Sequence, residues 1–310
     1  MARNFKTSKP AKDVYQIVTD KIVAALAAGV KPWEKPWESG APSFPLRANG
    51  EPYRGINVFL LWGEAMEAGY TSPYWMTYRQ ASELGGQVRK GERGSMVVYA
   101  GTAPKKDEDS GDVGTDENGR KVYRFLRAYT VFNADQIDNL PERYRVKIEA
   151  PTRAAGERIE AFEAFAKATG ADIRHGGGRA FYRMSDDIVQ MPEFEAFPDA
   201  EKYYATLAHE LTHWTRHPSR LDRDFGRKAF GDEGYAKEEL VAELGAAFIG
   251  AAFGFKPDHI ESHAAYIGSW LQVLKDDKRF IFTAASKAQQ AVDFLTGNQP
   301  QAEEPMTEAA

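Results

Sequence analysis

The stretch LAHELTHWTRH, residues 207–217, sets His209 and His213 four positions apart with Glu210 directly after the first. On an α-helix positions i and i+4 stack on one face, so both imidazoles aim at one point about a turn apart. Glu210 projects about 100° away, near enough to take a proton from water without ligating a metal. That division of labour is the content of H-E-x-x-H: two nitrogens fix a zinc ion, and the carboxylate deprotonates the water that attacks a carbonyl. A five-residue pattern with two wildcards also arises on ordinary polar helices. The preceding FPDAEKYYATLA, however, puts Tyr204, Leu207, Ala208, Leu211 and Thr212 on the sides that pack, so the histidines belong to a helix with a buried face.

A catalytic zinc of this kind needs a third protein ligand and one open position. In YAKEELVAELGAAFIG (235–250) Glu239 and Glu243 are again four apart, so one carboxylate can ligate while the other bonds a ligating histidine. Tyr235 opens that helix and can either donate a hydrogen bond to a developing oxyanion or pack. His217 continues the face of His213, but Pro218 ends the helix behind it, and a capping or packing role is expected. The chain has no cysteine, which excludes disulfides, thiolate zinc sites and cysteine nucleophiles. The metal is therefore expected to be a divalent ion held by His and carboxylates, zinc first and manganese next.

Outward from this site, 310 residues suffice for two domains that each bury a core. A hydrophobic fraction of 43% describes a folded chain, and the longest apolar run, LVAELGAAFIGAAFGF, is broken by Glu243, so no membrane span is expected. The start, MARNFKTSKPAKDVYQIV, lacks the apolar core of a secretory signal, which makes a cytoplasmic location the expectation. Apolar spacing predicts helices over 12–28, 57–67, 77–84, 155–169, 198–217, 235–253, 258–275 and 277–296. Strands are expected after the glycine-rich 85–94 and in KVYRFLRAYTVFNADQI (121–137), with the polar 105–121 as a mobile hairpin loop and two short strands around 185–187. The reading is an α+β protein of two domains. A mixed α/β domain spans 1–145, a mainly helical domain with a small sheet spans 146–297, and 298–310 is a disordered tail.

The net charge of −5 argues against a nucleic-acid binder, but residues 1–100 carry 13 Lys/Arg against 9 Asp/Glu, which leaves the negative excess to the remainder. Single-stranded nucleic acid is held by cations along the phosphates and by aromatic rings under the bases. Both ingredients lie in 31–99. The aromatic candidates are Trp33, Trp37, Tyr53 and Trp75; the cationic ones are Lys31, Lys35, Arg54, Arg79, Arg89, Lys90 and Arg93. Trp and Tyr are also common core residues, so composition alone leaves the two roles open.

Glu239-Leu-Val-Ala-Glu243 resembles the E-x-x-A-acid element of glutamate-type zincins, which implies Glu239 as third ligand and Glu243 as the carboxylate behind a ligating histidine. HELTHWTRHPSRLDRDF followed by YAKEELVAELGAAF resembles the C-terminal domain of ArdC-type antirestriction proteins, related to the N-terminal region of TraC-type plasmid primases. DVYQIVTDKIVAAL, KPWEKPW, PYRGINVFLLW and SPYWMTYRQASELGGQVRKGERG are similar to that family's N-terminal domain, so the resemblance covers nearly the whole chain. It implies single-stranded DNA as partner of the first domain and a zincin-like metallopeptidase site, with a protein or peptide substrate, in the second. It further implies protection of entering plasmid DNA from host restriction. One departure is Arg216, where the family has a small residue.

Overall fold

The structure, a computed structural model, describes residues 13–33, 44–104, 113–115, 121–145, 156–226, 232–257, 264–297 and 299. Helix α1 (Val14–Ala27) starts where the Asp13 carboxylate accepts the Gln16 N–H, satisfying one of the open donors of the first turn. Strand β1 (Leu46–Arg47) leads into α2 (Ile56–Ala68), which stops at Gly69 in the left-handed conformation. β2 (Tyr74–Met76) precedes α3 (Tyr78–Glu83), whose capping box joins Thr77 and Gln80. β3 (Gln87–Val88), β4 (Ser95–Pro104), β5 (Val113–Thr115), β6 (Lys121–Asn133) and β7 (Ile137–Asp138) complete this half. The sheet runs β1-β2-β6-β4 with β5 also on β6; β1 and β2 are parallel, the other pairs antiparallel, and β3 pairs separately with β7.

The second half opens with α4 (Glu160–Ala168), followed by β8 (Asp172–His175), β9 (Phe181–Arg183) and β10 (Ile188–Met191). These form a small sheet of order β8-β10-β9, with β8 parallel and β9 antiparallel to the centre. The helices α5 (Ala200–Trp214), α6 (Glu233–Phe253), α7 (Ala264–Asp276) and α8 (Phe280–Gly297) pack around α6. α6 is buried on every side from Glu238 to Ala251. Among the described residues no helix is long and apolar enough to cross a membrane.

The α+β class is as expected, and several details differ. The helix expected over 155–169 begins only at Glu160, because the Ile159 N–H is held by the Tyr204 hydroxyl at 3.0 Å. Within the polar 105–121, Val113–Thr115 forms β5; 105–112 and 116–120 lie outside the described residues, as do 258–263 and the tail beyond 299. The chain is long enough for each half to bury a core of its own, yet one apolar cluster runs through both halves. Phe59 of α2 stacks on Phe248 of α6 with ring centres 4.8 Å apart, and Trp33 meets Trp270 of α7 at 5.9 Å. Polar ties reinforce this seam: Thr19 of α1 donates to the Lys278 carbonyl at 2.6 Å, and Gln289 of α8 accepts the Gly55 N–H. A smaller cluster, including Met76, Ala81, Val88 and Ile137, sits under β3 and β7.

Candidate metal centre

Helix α5 is anchored by Asp199, whose carboxylate accepts the Lys202 N–H, and is buried from Tyr203 through Trp214. Its buried threonine hydroxyls bond back to their own helix, Thr206 to the Lys202 carbonyl and Thr212 to that of Ala208. Toward its C-terminal end the helix carries His209, Glu210 and His213, all buried. The two histidines meet α6, which approaches closely because Gly245 offers no side chain to Thr212; a Cβ there would stand 2.5 Å from Thr212 Cγ2.

Glu239 of α6 lands on the histidine pair. One carboxylate oxygen is 3.3 Å from His209 Nε2 and the other 3.5 Å from His213 Nε2, while the two ring nitrogens are 3.0 Å apart. The ligand atoms of His209, His213 and Glu239 all lie within 4.8 Å of one another. Two imidazoles and a carboxylate are the donor set of zinc hydrolase sites, and lone pairs crowded this closely have a common purpose once a divalent cation lies between them. Burial would lower both histidine pKa values. For His209 the hydrogen bond to Glu239 together with the charges of Glu239 and Glu210 outweighs burial and raises the pKa; for His213 the Glu239 charge and the bonds to Glu238 and Glu239 push the value up to about 10. Glu239 itself is held well below the usual carboxylate range, since the His213 charge and the histidine bonds exceed the effect of burial.

The far side of His213 is fixed by a pair that sequence reasoning missed. His213 Nδ1 lies 3.1 Å from Glu238 Oε1, and an ionised carboxylate has no proton to give, so the ring N–H donates and Nε2 is left to ligate. Arg223 grips Glu238 at 2.8 and 2.7 Å and also donates to the Thr215 hydroxyl and the Thr212 carbonyl. The carboxylate behind His213 is thus Glu238; Glu243, which the resemblance offered as the carboxylate behind a ligating histidine, is buried one turn beyond Glu239. The only advance signal was an arginine and a third glutamate beside the motif. Tyr235, one turn before Glu239, has its hydroxyl 3.1 Å from that of Tyr266. Burial first, then the Glu239 charge and the Tyr266 bond, push its pKa up, so the phenol keeps its proton. His217 lies beyond the end of α5 and accepts the Ser219 N–H, a local turn contact.

The residues expected to hold DNA fare differently. Trp33 and Trp75 are each 1% exposed, and Tyr53 and Lys31 are buried as well. A ring enclosed in the core has no face for a base, so stacking on Trp33, Tyr53 and Trp75 is corrected to core packing, and Lys31 does not line an open groove. Arg54 is paired with Asp293, Arg79 with Glu83 at 2.7 Å, and Arg89 with Glu92 at 2.8 Å. Lys90 and Arg93 are exposed. Lys35 and Trp37 lie outside the described residues.

A histidine pair on one helix and a glutamate from the next, beside a small sheet, define a zincin-like metal site. Comparison with known proteins agrees: residues 160–287 match the family described as zincin-like metallopeptidase, and residues 12–132 match the N-terminal domain of anti-restriction factor ArdC. The metal-free crystal structure of the antirestriction ArdC protein from plasmid R388 is 50% identical, covering 92% of this chain and 97% of that one with a TM-score of 0.76. The Mn(II)-bound form of the same protein is also similar, at 49% identity and a TM-score of 0.76, over 92% of this chain and 98% of that one. The y4eC protein of Sinorhizobium fredii is 43% identical over 96% of both chains. A DNA primase TraC of Escherichia coli is 43% identical over 96% of this chain, which spans 28% of that protein's length. The chain belongs to the ArdC antirestriction family.

Proposed function

We propose that the chain protects incoming plasmid DNA from host restriction in the cytoplasm by binding single-stranded DNA through its first domain, 1–145. The second domain, 146–297, would hold a divalent metal at a peptidase-type site, zinc or manganese. The observation that supports this reading is the convergence of His209, His213 and Glu239 from two helices, with His213 oriented by the Arg223–Glu238 pair. The solved relative from plasmid R388 was obtained with Mn(II), which favours the same ion here.

His209, His213 and Glu239 would hold the cation, which when bound supplies Lewis acidity to a peptide carbonyl. Glu210 takes the proton of the attacking water. Tyr235, protonated across the physiological range, donates a hydrogen bond to the oxyanion that develops. Glu243, one turn beyond Glu239 on the same helix, would support a ligating histidine from behind or stand in as the third ligand.

The test is restriction of unmodified plasmid entering cells that carry wild type or Glu210→Gln. The variant keeps the three ligands, so it is expected to bind metal and single-stranded DNA as wild type does. Any cleavage of a protein substrate should fall about a hundredfold or more, and protection should be lost with it. Protection that survives Glu210→Gln would make DNA binding the whole of the function and the metal site idle in it.

A further inference from the structure

The tryptophans that composition offered for base stacking are inside the molecule, yet one surface of the first half carries what they lack. In the β4–β6 ribbon the register sets Ser95 opposite Val131, Val97 opposite Tyr129, Tyr99 opposite Arg127 and Gly101 opposite Phe125. Alternate residues of a strand share a face, so Val97, Tyr99, Gly101, Phe125, Arg127 and Tyr129 lie on one side of the ribbon. That face is closed at its base, where Val97 and Val131 are buried, and opens further out, where Tyr99 is 55% and Tyr129 46% exposed.

The two exposed tyrosines and the half-buried Phe125 form a continuous row: Tyr99 lies 6.4 Å from Tyr129 and 6.2 Å from Phe125, centre to centre, and the Arg127 guanidinium sits 4.8 Å over the Phe125 ring. Gly101 is the seat of the row: a Cβ there would be 2.6 Å from Phe125 Cζ and 2.8 Å from Tyr99 Cε1, so the two rings meet where a side chain is missing. Arg127 is the cation that the described residues place on this face, and neither strand contains a carboxylate, in a chain whose net charge is −5.

A contiguous apolar patch with a cation beside it, left facing water, marks a binding surface. Rings with open faces beside a guanidinium group suit a polyanion whose flat, apolar bases are unpaired, and duplex DNA hides those faces. We infer that single-stranded DNA docks on this open face of the β4–β6 ribbon, its bases stacked on Tyr99, Phe125 and Tyr129 and a phosphate beside Arg127. The inference rests on the single-stranded-DNA reading above and gives it a location.

The experiment measures binding of the full-length chain to a fluorescently labelled oligothymidylate by anisotropy across a salt series. Tyr99→Ala and Tyr129→Ala should each weaken binding roughly five- to a hundredfold, whereas Tyr129→Phe, which keeps the ring, should bind as wild type does. Gly101→Val should weaken binding by displacing both rings while leaving every ring present. Arg127→Gln should reduce the slope of log affinity against log salt by about 0.7, the release of one counterion from a single strand. Wild type that fails to bind the oligonucleotide overturns the DNA reading itself. Wild type that binds, with all four weakening variants unchanged, overturns the ribbon and leaves the DNA reading standing. Concentration-dependent self-association that Tyr99→Ala abolishes while DNA affinity stays constant would make the face a self-interface and overturn the inference too. Photocross-linking of wild type with a bromodeoxyuridine oligonucleotide decides the matter where a variant misfolds: adducts are expected on the peptides carrying Tyr99, Phe125 or Tyr129, and adducts confined to other segments overturn the proposal.

Discussion

Arg223 shows how a residue remote from the chemistry sets it. Its guanidinium and the Glu238 carboxylate are both buried, and the pair costs more to take from water than a surface ion pair would. Burial would raise the Glu238 pKa, but the Arg223 and His213 hydrogen bonds and charges bring it below the ordinary value. A carboxylate whose pKa is depressed in the folded state stabilises above its unfolded value, and that contribution fades as the pH falls below about 4. Arg223→Met is therefore expected to strand a buried charge and cost about 3–5 kcal/mol in a denaturant titration at pH 7. It should also free the His213 ring and weaken Mn(II) or Zn(II) binding about 10- to 100-fold, measured by chelator competition. Unchanged metal affinity in a folded Arg223→Met protein would mean that Glu238 does not orient the histidine. Conversion to Arg223→Met/Glu238→Gln removes the stranded charge and should recover part of the lost stability.

At the scale of elements, the H-E-x-x-H helix and the glutamates of α6 were legible because helical spacing alone places His209 with His213 and Glu239 with Glu243. Periodicity alone could not choose between Glu239 and Glu243, since α6 is buried on all sides from Glu238 onward and no face is singled out toward α5; the resemblance to zincins made that choice. Glu238 and Arg223 depend on how a loop returns beside a helix, which no local pattern encodes. Trp33 and Trp75 were ambiguous for another reason: an aromatic ring serves a core and a base equally well, and only the tertiary packing says which. What brings Glu239 to the histidines is Gly245, where the backbone of α6 nears Thr212. Gly245→Ala adds a methyl against a β-branched side chain that is locked by its bond to the Ala208 carbonyl. The expected cost is about 1–3 kcal/mol, with a loss of metal affinity as the helices part. Thr212→Ala in the same chain removes the clashing atoms and should return both quantities toward wild type; if thermal melts and metal titrations of the double variant match Gly245→Ala, close approach of α5 and α6 is not what positions the carboxylate.

Across the whole molecule, the two halves that match separate families share an interior, and this constrains how the protein can unfold. Phe59 on Phe248, Phe44 beside Phe248 and Trp33 against Trp270 place large rings from the first half among the helices that carry the metal ligands. Trp270 in turn donates its indole N–H to the Ala236 carbonyl of α6 and stacks on Tyr266, whose hydroxyl meets that of Tyr235 beside Glu239. Contacts of this size are not an optional interface between two finished domains: separating the halves would expose several aromatic side chains, each worth roughly 1.5–3 kcal/mol of burial. The protein should accordingly melt as one cooperative unit, with amides of α2 and α6 exchanging at the same opening free energy. Trp33→Ala is expected to cost about 3–5 kcal/mol and to lower protection of α6 as much as that of α2, although Trp33 precedes both and touches no metal ligand. Native-state hydrogen exchange reads both helices in one experiment. Loss of protection confined to α2 in Trp33→Ala, with α6 unchanged, would show that the halves are stable independently and that the shared rings merely touch.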